Sequence, residues 1–234
     1  MALPDARAAA HPPGLAHHFH SLQQQRATAE LGMWVFLITE FMFFGGLFLA
    51  YLVYRSRYPG AFVEGSHSMN LWLGTINTAV LLTSSLTMAL AVHAAEDSHE
   101  ERRGERAASL VRCLLATALL GVIFLGVKSF EYYEKYTHHH IPFGGFAFSH
   151  PDNPGLETFF NLYFVMTGFH ALHMIIGLAI LLLLAWQANQ GGLTGSSSVI
   201  VHNFGLYWHF VDLVWVYLFP FFYLIGARLN SPSS

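Results

Sequence analysis

Five uninterrupted apolar runs constrain this chain more than any other feature: Leu31 to Tyr54, Leu71 to Ala95, Ala107 to Phe130, Thr158 to Gln187 and Val199 to Ala227. Each reaches the roughly 20 residues a helix needs to cross a hydrocarbon core. Backbone amides in lipid must be satisfied within the segment, and these runs are far longer than barrel strands, so helices are the expected answer. The connections, Arg55 to Asn70, Glu96 to Arg106, Glu131 to Glu157 and Ala188 to Ser198, are short and polar, and none could hold a separate soluble domain. The predicted fold is all-α, a polytopic membrane bundle of five transmembrane helices over residues 29–228. A polar N-terminal tail (1–28) and a short C-terminal tail (229–234) complete the expected organisation.

Composition supports this reading and narrows the function. Only 11% of the 234 residues are charged and mean hydropathy is +0.43, whereas an average soluble domain is about a quarter charged. With 11 Lys and Arg and a net charge of −3, no broad basic surface exists for nucleic acid. The single cysteine, Cys113, removes any internal disulfide framework or multi-cysteine metal site. The N-terminal stretch lacks the apolar core of a secretory signal, so it reads as a retained tail. Arg7, Arg26, Arg102, Arg103 and Arg106 fall on one face, and Arg55, Arg57, Lys135 and Arg228 on the other. By the positive-inside rule this expects a cytoplasmic N-terminus.

Ionisable residues in the spans cost about 2.5 kcal/mol or more at mid-membrane, so each is a candidate functional group. They are Glu40, His170, His173, His209 and Asp212, with Lys128 and Glu131 near the end of the third run. Glu40 lies about 14 Å into the first span at 1.5 Å per residue, and His209 is comparably deep in the last. Glu40 is expected to be buried in the bundle and hydrogen-bonded, to His209 at equal depth or to a nearby hydroxyl. His170 and His173, like His209 and Asp212, are three apart and share a helix face. Three readings stay open for this set: haem ligation by paired histidines, a proton or ion path, and interior hydrogen bonding that fixes helix register. Interior hydrogen bonding is the favoured one. Lys128 and Glu131 read as an interfacial ion pair snorkelling toward water. The His138, His139, His140 run and His17, His18 and His20 carry metal-binding chemistry, but adjacent loop histidines seldom converge on one ion, and a solvated loop is expected.

Several of these segments, in one order, resemble subunit III of the haem-copper respiratory oxidases, in its five-helix bacterial form. FLITEFMFFGGLF with Glu40 is similar to the acidic motif of the family's first shared helix, and LGTINTAVLLTSS with Asn77 and Thr78 to the motif of the next. LLGVIFLGVKSFEYYE with Glu131 and Tyr132, TGFHALHMIIG with His170, His173 and Gly177, and YWHFVDLVWVYLFPFFY with His209, Asp212 and Trp215 resemble the remaining three. The resemblance implies an accessory subunit without haem or copper of its own, the redox centres lying in partner subunits I and II. It further implies packing on subunit I, phospholipid held between helices, support of proton uptake and sustained turnover, a bacterial inner-membrane location, and membership of a respiratory supercomplex as a possibility. Trp34, His209 and Trp215 are the candidate lipid contacts. The alternative of another class is a cofactor-bearing cytochrome b type electron-transfer subunit using His170 or His173.

Overall fold

The structure, a computed structural model, describes residues 19–96, 103–137, 154–190 and 197–227. The polypeptide forms α1 (Leu22–Arg57), α2 (Pro59–His67), α3 (Leu71–Glu96), α4 (Arg103–Thr137), α5 (Pro154–Asn189), α6 (Ser197–Phe219), a π-helical turn (Pro220–Leu224) and α7 (Ile225–Ala227). Five helices, α1, α3, α4, α5 and α6 with its π-helical turn, are long and apolar enough to span a membrane. No strand occurs among the described residues.

Several helices run beyond the apolar stretches into polar sequence, α1 at its start and α4 at both ends. α1 begins at Leu22, inside the stretch read as tail, and is capped by Ser21, whose hydroxyl accepts the Gln24 N–H at 3.1 Å. The first connection, read as a polar loop, contains α2. Pro59 opens it at a position where the missing N–H costs nothing. Phe62 anchors α2 by packing edge-on to Tyr51 of α1 and Phe159 of α5, at 5.1 and 5.4 Å.

A heptad seam organises the centre. On α3 the buried positions are Gly74, Asn77, Leu81, Ser84, Met88 and Ala91; on α4 they include Leu110, Leu114, Thr117, Gly121, Phe124, Lys128, Glu131 and Lys135. Both alternate three and four apart, the spacing that lets two helices stay in register. Small and hydroxyl residues let the backbones approach: Thr87 and Thr117 hydroxyls bond at 2.7 Å, and Asn77 Nδ2 donates to the Phe124 carbonyl at 3.4 Å. α5 and α6 close the core around Trp208, Trp215, Tyr163 and Met174, all fully buried. α1 leans on α5 and α6 through aromatic contacts such as Phe43 to Phe169 and Phe48 to Phe221, at 5.0 and 5.3 Å.

The helices alternate in direction. α2, the start of α5 and the π-helical end of α6 gather at one end of the bundle, where Gly226 N–H donates to the Ser66 hydroxyl at 3.0 Å. At the other end His202 of α6 meets Glu96 of α3 at 2.7 Å.

Candidate functional site

The ionisable residues of the spans sort into three groups. The most enclosed centres on Lys128 and Glu131, which are 5% and 2% exposed. The Lys128 ammonium donates to Glu131 Oε2 at 3.0 Å, to the Tyr163 hydroxyl at 2.9 Å and to the Tyr223 hydroxyl at 3.0 Å. Both tyrosines donate in turn to Glu131 Oε1, at 2.9 and 2.5 Å. All three ammonium protons and both carboxylate oxygens are therefore used within the protein. The Trp215 ring lies 4.9 Å from Nζ and supplies a cation-facing π surface. Beyond this core Tyr132 bonds Thr167 on α5, and Lys135 donates to the Ser68 carbonyl beyond α2. The expected ion pair is present, but the snorkelling is not. The heptad seam turns Lys128 and Glu131 inward, and tyrosines from α5 and the π-helical turn replace water around them.

The second group joins α1 to α5. Glu40 Oε2 lies 3.0 Å from His173 Nε2, with side chains 19% and 14% exposed. His173 Nδ1 is 2.7 Å from the Phe169 carbonyl, which can only accept, so Nδ1 carries a proton and Nε2 faces the carboxyl. Tyr207 of α6 donates to the His173 carbonyl at 2.8 Å. Glu40 is hydrogen-bonded, as its depth requires, but its partner is His173 and not His209. Equal depth did not identify the pairing because all five spans cross that level and lateral position decides which two meet.

The third group lies between α3 and α6. His209 Nδ1 bonds the Ser85 hydroxyl at 2.7 Å. Asp212, 4% exposed, makes no hydrogen bond among the described residues, with Ser85 its polar neighbour. His209 and Asp212 share a helix face without bonding each other. His170 and His173 diverge similarly. His170 is 1% exposed and clusters with Phe124 and Trp215, whose ring centroids lie 5.5 and 5.3 Å from its own, with no partner for either nitrogen among the described residues.

The remaining motif residues are structural neighbours of these groups. Trp215, fully buried, donates Nε1–H to Thr78 Oγ1 at 3.1 Å, and Thr78 bonds the Gly74 carbonyl at 2.8 Å. Trp34 is 56% exposed on α1. His17, His18, His138, His139 and His140 lie outside the described residues, as do Arg7, Arg102 and Arg228. Among the described residues no three His, Cys, Asp or Glu side chains converge in a metal-holding arrangement. Tyr163, Tyr223 and Ser85, which complete the networks, carried no sequence signal beyond their place on apolar runs.

Five apolar spans, with Lys128, Glu131 and Glu40 paired inside the protein, define a multi-pass membrane helix bundle. The cytochrome c oxidase subunit III family matches residues 15–227. Cytochrome c oxidase subunit 3 of Synechocystis sp. is 34% identical over 91% of this chain and 81% of its own length. Cytochrome bo(3) ubiquinol oxidase subunit 3 of Pseudomonas aeruginosa is 32% identical over 93% and 94%. The chain belongs to the cytochrome c oxidase subunit III family.

Proposed function

We propose that this chain is the accessory subunit III of a bacterial haem-copper terminal oxidase, with haem and copper carried by subunits I and II. It packs on subunit I in the cell inner membrane with its N-terminus cytoplasmic. It holds phospholipid against its helices, with exposed Trp34 as one contact, and supports proton uptake and active lifetime without touching the oxygen chemistry. The observation that carries this reading is the closed Lys128, Glu131, Tyr163 and Tyr223 network, which uses two buried charges to join three segments of the bundle. A group so enclosed holds helices; it has no open valence for a substrate or a redox centre. Relatives include subunits named for both cytochrome c and ubiquinol oxidases, and this reading assigns the choice of electron donor to the partner subunits.

The test compares turnover time courses of the oxidase with and without this chain, with haem quantified in parallel. The expected result is an unchanged first-turnover rate and haem content, with slower proton delivery and earlier inactivation. Stoichiometric loss of haem on removal, or a Soret band in the purified chain that disappears in His170→Leu, would return the cytochrome b type reading to first place.

A further inference from the structure

We infer that the outward strip of α6 bearing Leu206, His209, Leu213 and Val216, with Leu82 and Ser85 of α3 beside it, seats one transmembrane helix of a partner subunit, read at mid-membrane through His209 Nε2. The inference rests on the oxidase-subunit reading above and adds to it the face and the chemistry of contact.

Spacing is the first argument. Residues 206, 209, 213 and 216 recur at three, four and three, the seam of a helix that packs along another helix. α6 already uses a different set, including Phe204, Trp208, Val211 and Trp215, for its own bundle. The outward seam is therefore a second one. Leu213 and Val216 are 51% and 38% exposed, Leu82 is 54% exposed, and Leu206, His209 and Ser85 are half-buried.

Polarity at depth is the second argument. His209 is two residues from the centre of the span Ser198–Leu224, and Ser85 is within two residues of the centre of Leu71–Glu96. Two helices thus agree that this polar spot lies near the bilayer midplane, about 15 Å from either headgroup layer. Ser85 satisfies Nδ1 at 2.7 Å, and Nε2 has no partner among the described residues. Acyl chains offer nothing to an imidazole nitrogen, and headgroups do not reach it, so a lipid leaves it unpaired at a polar group's desolvation cost. A partner helix with a hydroxyl, carboxamide or carboxyl side chain at that level pairs it. One polar position within an apolar seam also fixes register, since sliding the helices by a turn breaks the only hydrogen bond. The Ser85 hydroxyl on Nδ1 holds the His209 ring in place.

The experiment uses the whole oxidase in its native membrane, with a photo-crosslinking amino acid at Leu213 or Val216, and at Leu119 of α4 and Leu183 of α5 as exposed controls. The first pair is expected to capture a transmembrane segment of another oxidase subunit, and the controls to capture lipid. Capture by Leu213 and Val216 of lipid alone, or of a second copy of this chain alone, overturns the inference, as does partner capture from the controls but not from the strip. In the same membranes, His209→Leu is expected to speed release of this chain in mild detergent about threefold to tenfold, the scale of one intramembrane hydrogen bond, and His209→Asn to restore most of it. Equal release for Leu, Asn and the native residue overturns the hydrogen-bonded contact whatever the crosslinks give. If no oxidase subunit copurifies with the native chain, the accessory-subunit reading itself fails; if they copurify but the strip captures none, only this face is wrong.

Discussion

A buried ammonium is tolerable only while its counter-charge and acceptors remain, and Lys128 illustrates how one-sided that dependence is. Lys128→Met removes the cation but leaves Glu131 enclosed with two tyrosines, so we expect a loss of about 3–5 kcal/mol, the penalty of a stranded interior charge. Lys128→Met with Glu131→Gln removes both charges together and is expected to lose less than Lys128→Met alone. Thermal unfolding of the four proteins in one detergent forms the double-mutant cycle that checks this; additive losses would mean the pair does not act as a unit. The sequence spacing identified the pair but not its burial. The signal was nonetheless present: residues 110, 114, 117, 121, 124, 128, 131 and 135 continue one heptad through Lys128 and Glu131, which places them on the interior stripe. Tyr163 and Tyr223 are 35 and 95 residues from Lys128, and no local pattern connects them. Glu40 follows the same rule, since depth was legible and lateral neighbour was not.

Elements pack here by close approach, and glycine positions divide according to whether a neighbour occupies the place of a side chain. A Cβ added at Gly177 of α5 would lie 3.0 Å from Trp208 Cζ3 and from Tyr207 Cε1, both in the wall of α6. We expect Gly177→Ala to cost about 1–3 kcal/mol as the rings are displaced. At Gly45 of α1 nothing lies within 4 Å, so Gly45→Ala should be neutral or stabilise by up to about 1 kcal/mol through helix propensity. Unfolding midpoints that move equally would refute the close-approach account. The π-helical turn makes a separate case. Pro220 cannot donate a backbone hydrogen bond, the helix widens over Pro220–Leu224, and the Tyr51 hydroxyl of α1 donates to the Phe221 carbonyl there. Tyr51→Phe is expected to weaken the α1 contact by about 1 kcal/mol, read as a lower unfolding midpoint. The spans were legible from apolar length alone. The short helix α2 and this turn were not, since each depends on a proline whose meaning is set by the aromatic residues packed beside it.

At the scale of the molecule, the five spans are not equally committed to the bundle. Only 11% of the apolar stretch of α1 is buried, against 50% for the last span. α3 and α4 share a continuous seam, and α5 and α6 close on them through Trp208 and Trp215. α1 is attached by a column of aromatic contacts and two polar links, Glu40 to His173 at mid-span and Tyr51 to the Phe221 carbonyl near its end. In lipid no hydrophobic drive favours helix over acyl chain, so packing and hydrogen bonds alone hold α1 in place. Unfolding in detergent should therefore begin with α1 leaving a four-helix remainder. The direct test replaces Cys113 with Ala and places a single cysteine on a buried position of either unit, Leu37→Cys on α1 or Val211→Cys on α6, each 9% and 2% exposed in the native chain. On slow heating, Leu37→Cys is expected to react with a thiol reagent at a lower temperature than Val211→Cys. Adding Glu40→Gln should lower the first midpoint and leave the second unchanged. Coincident midpoints, or a shift of both together, would mean that the five helices unfold as one unit and that the Glu40 to His173 link stabilises the whole bundle.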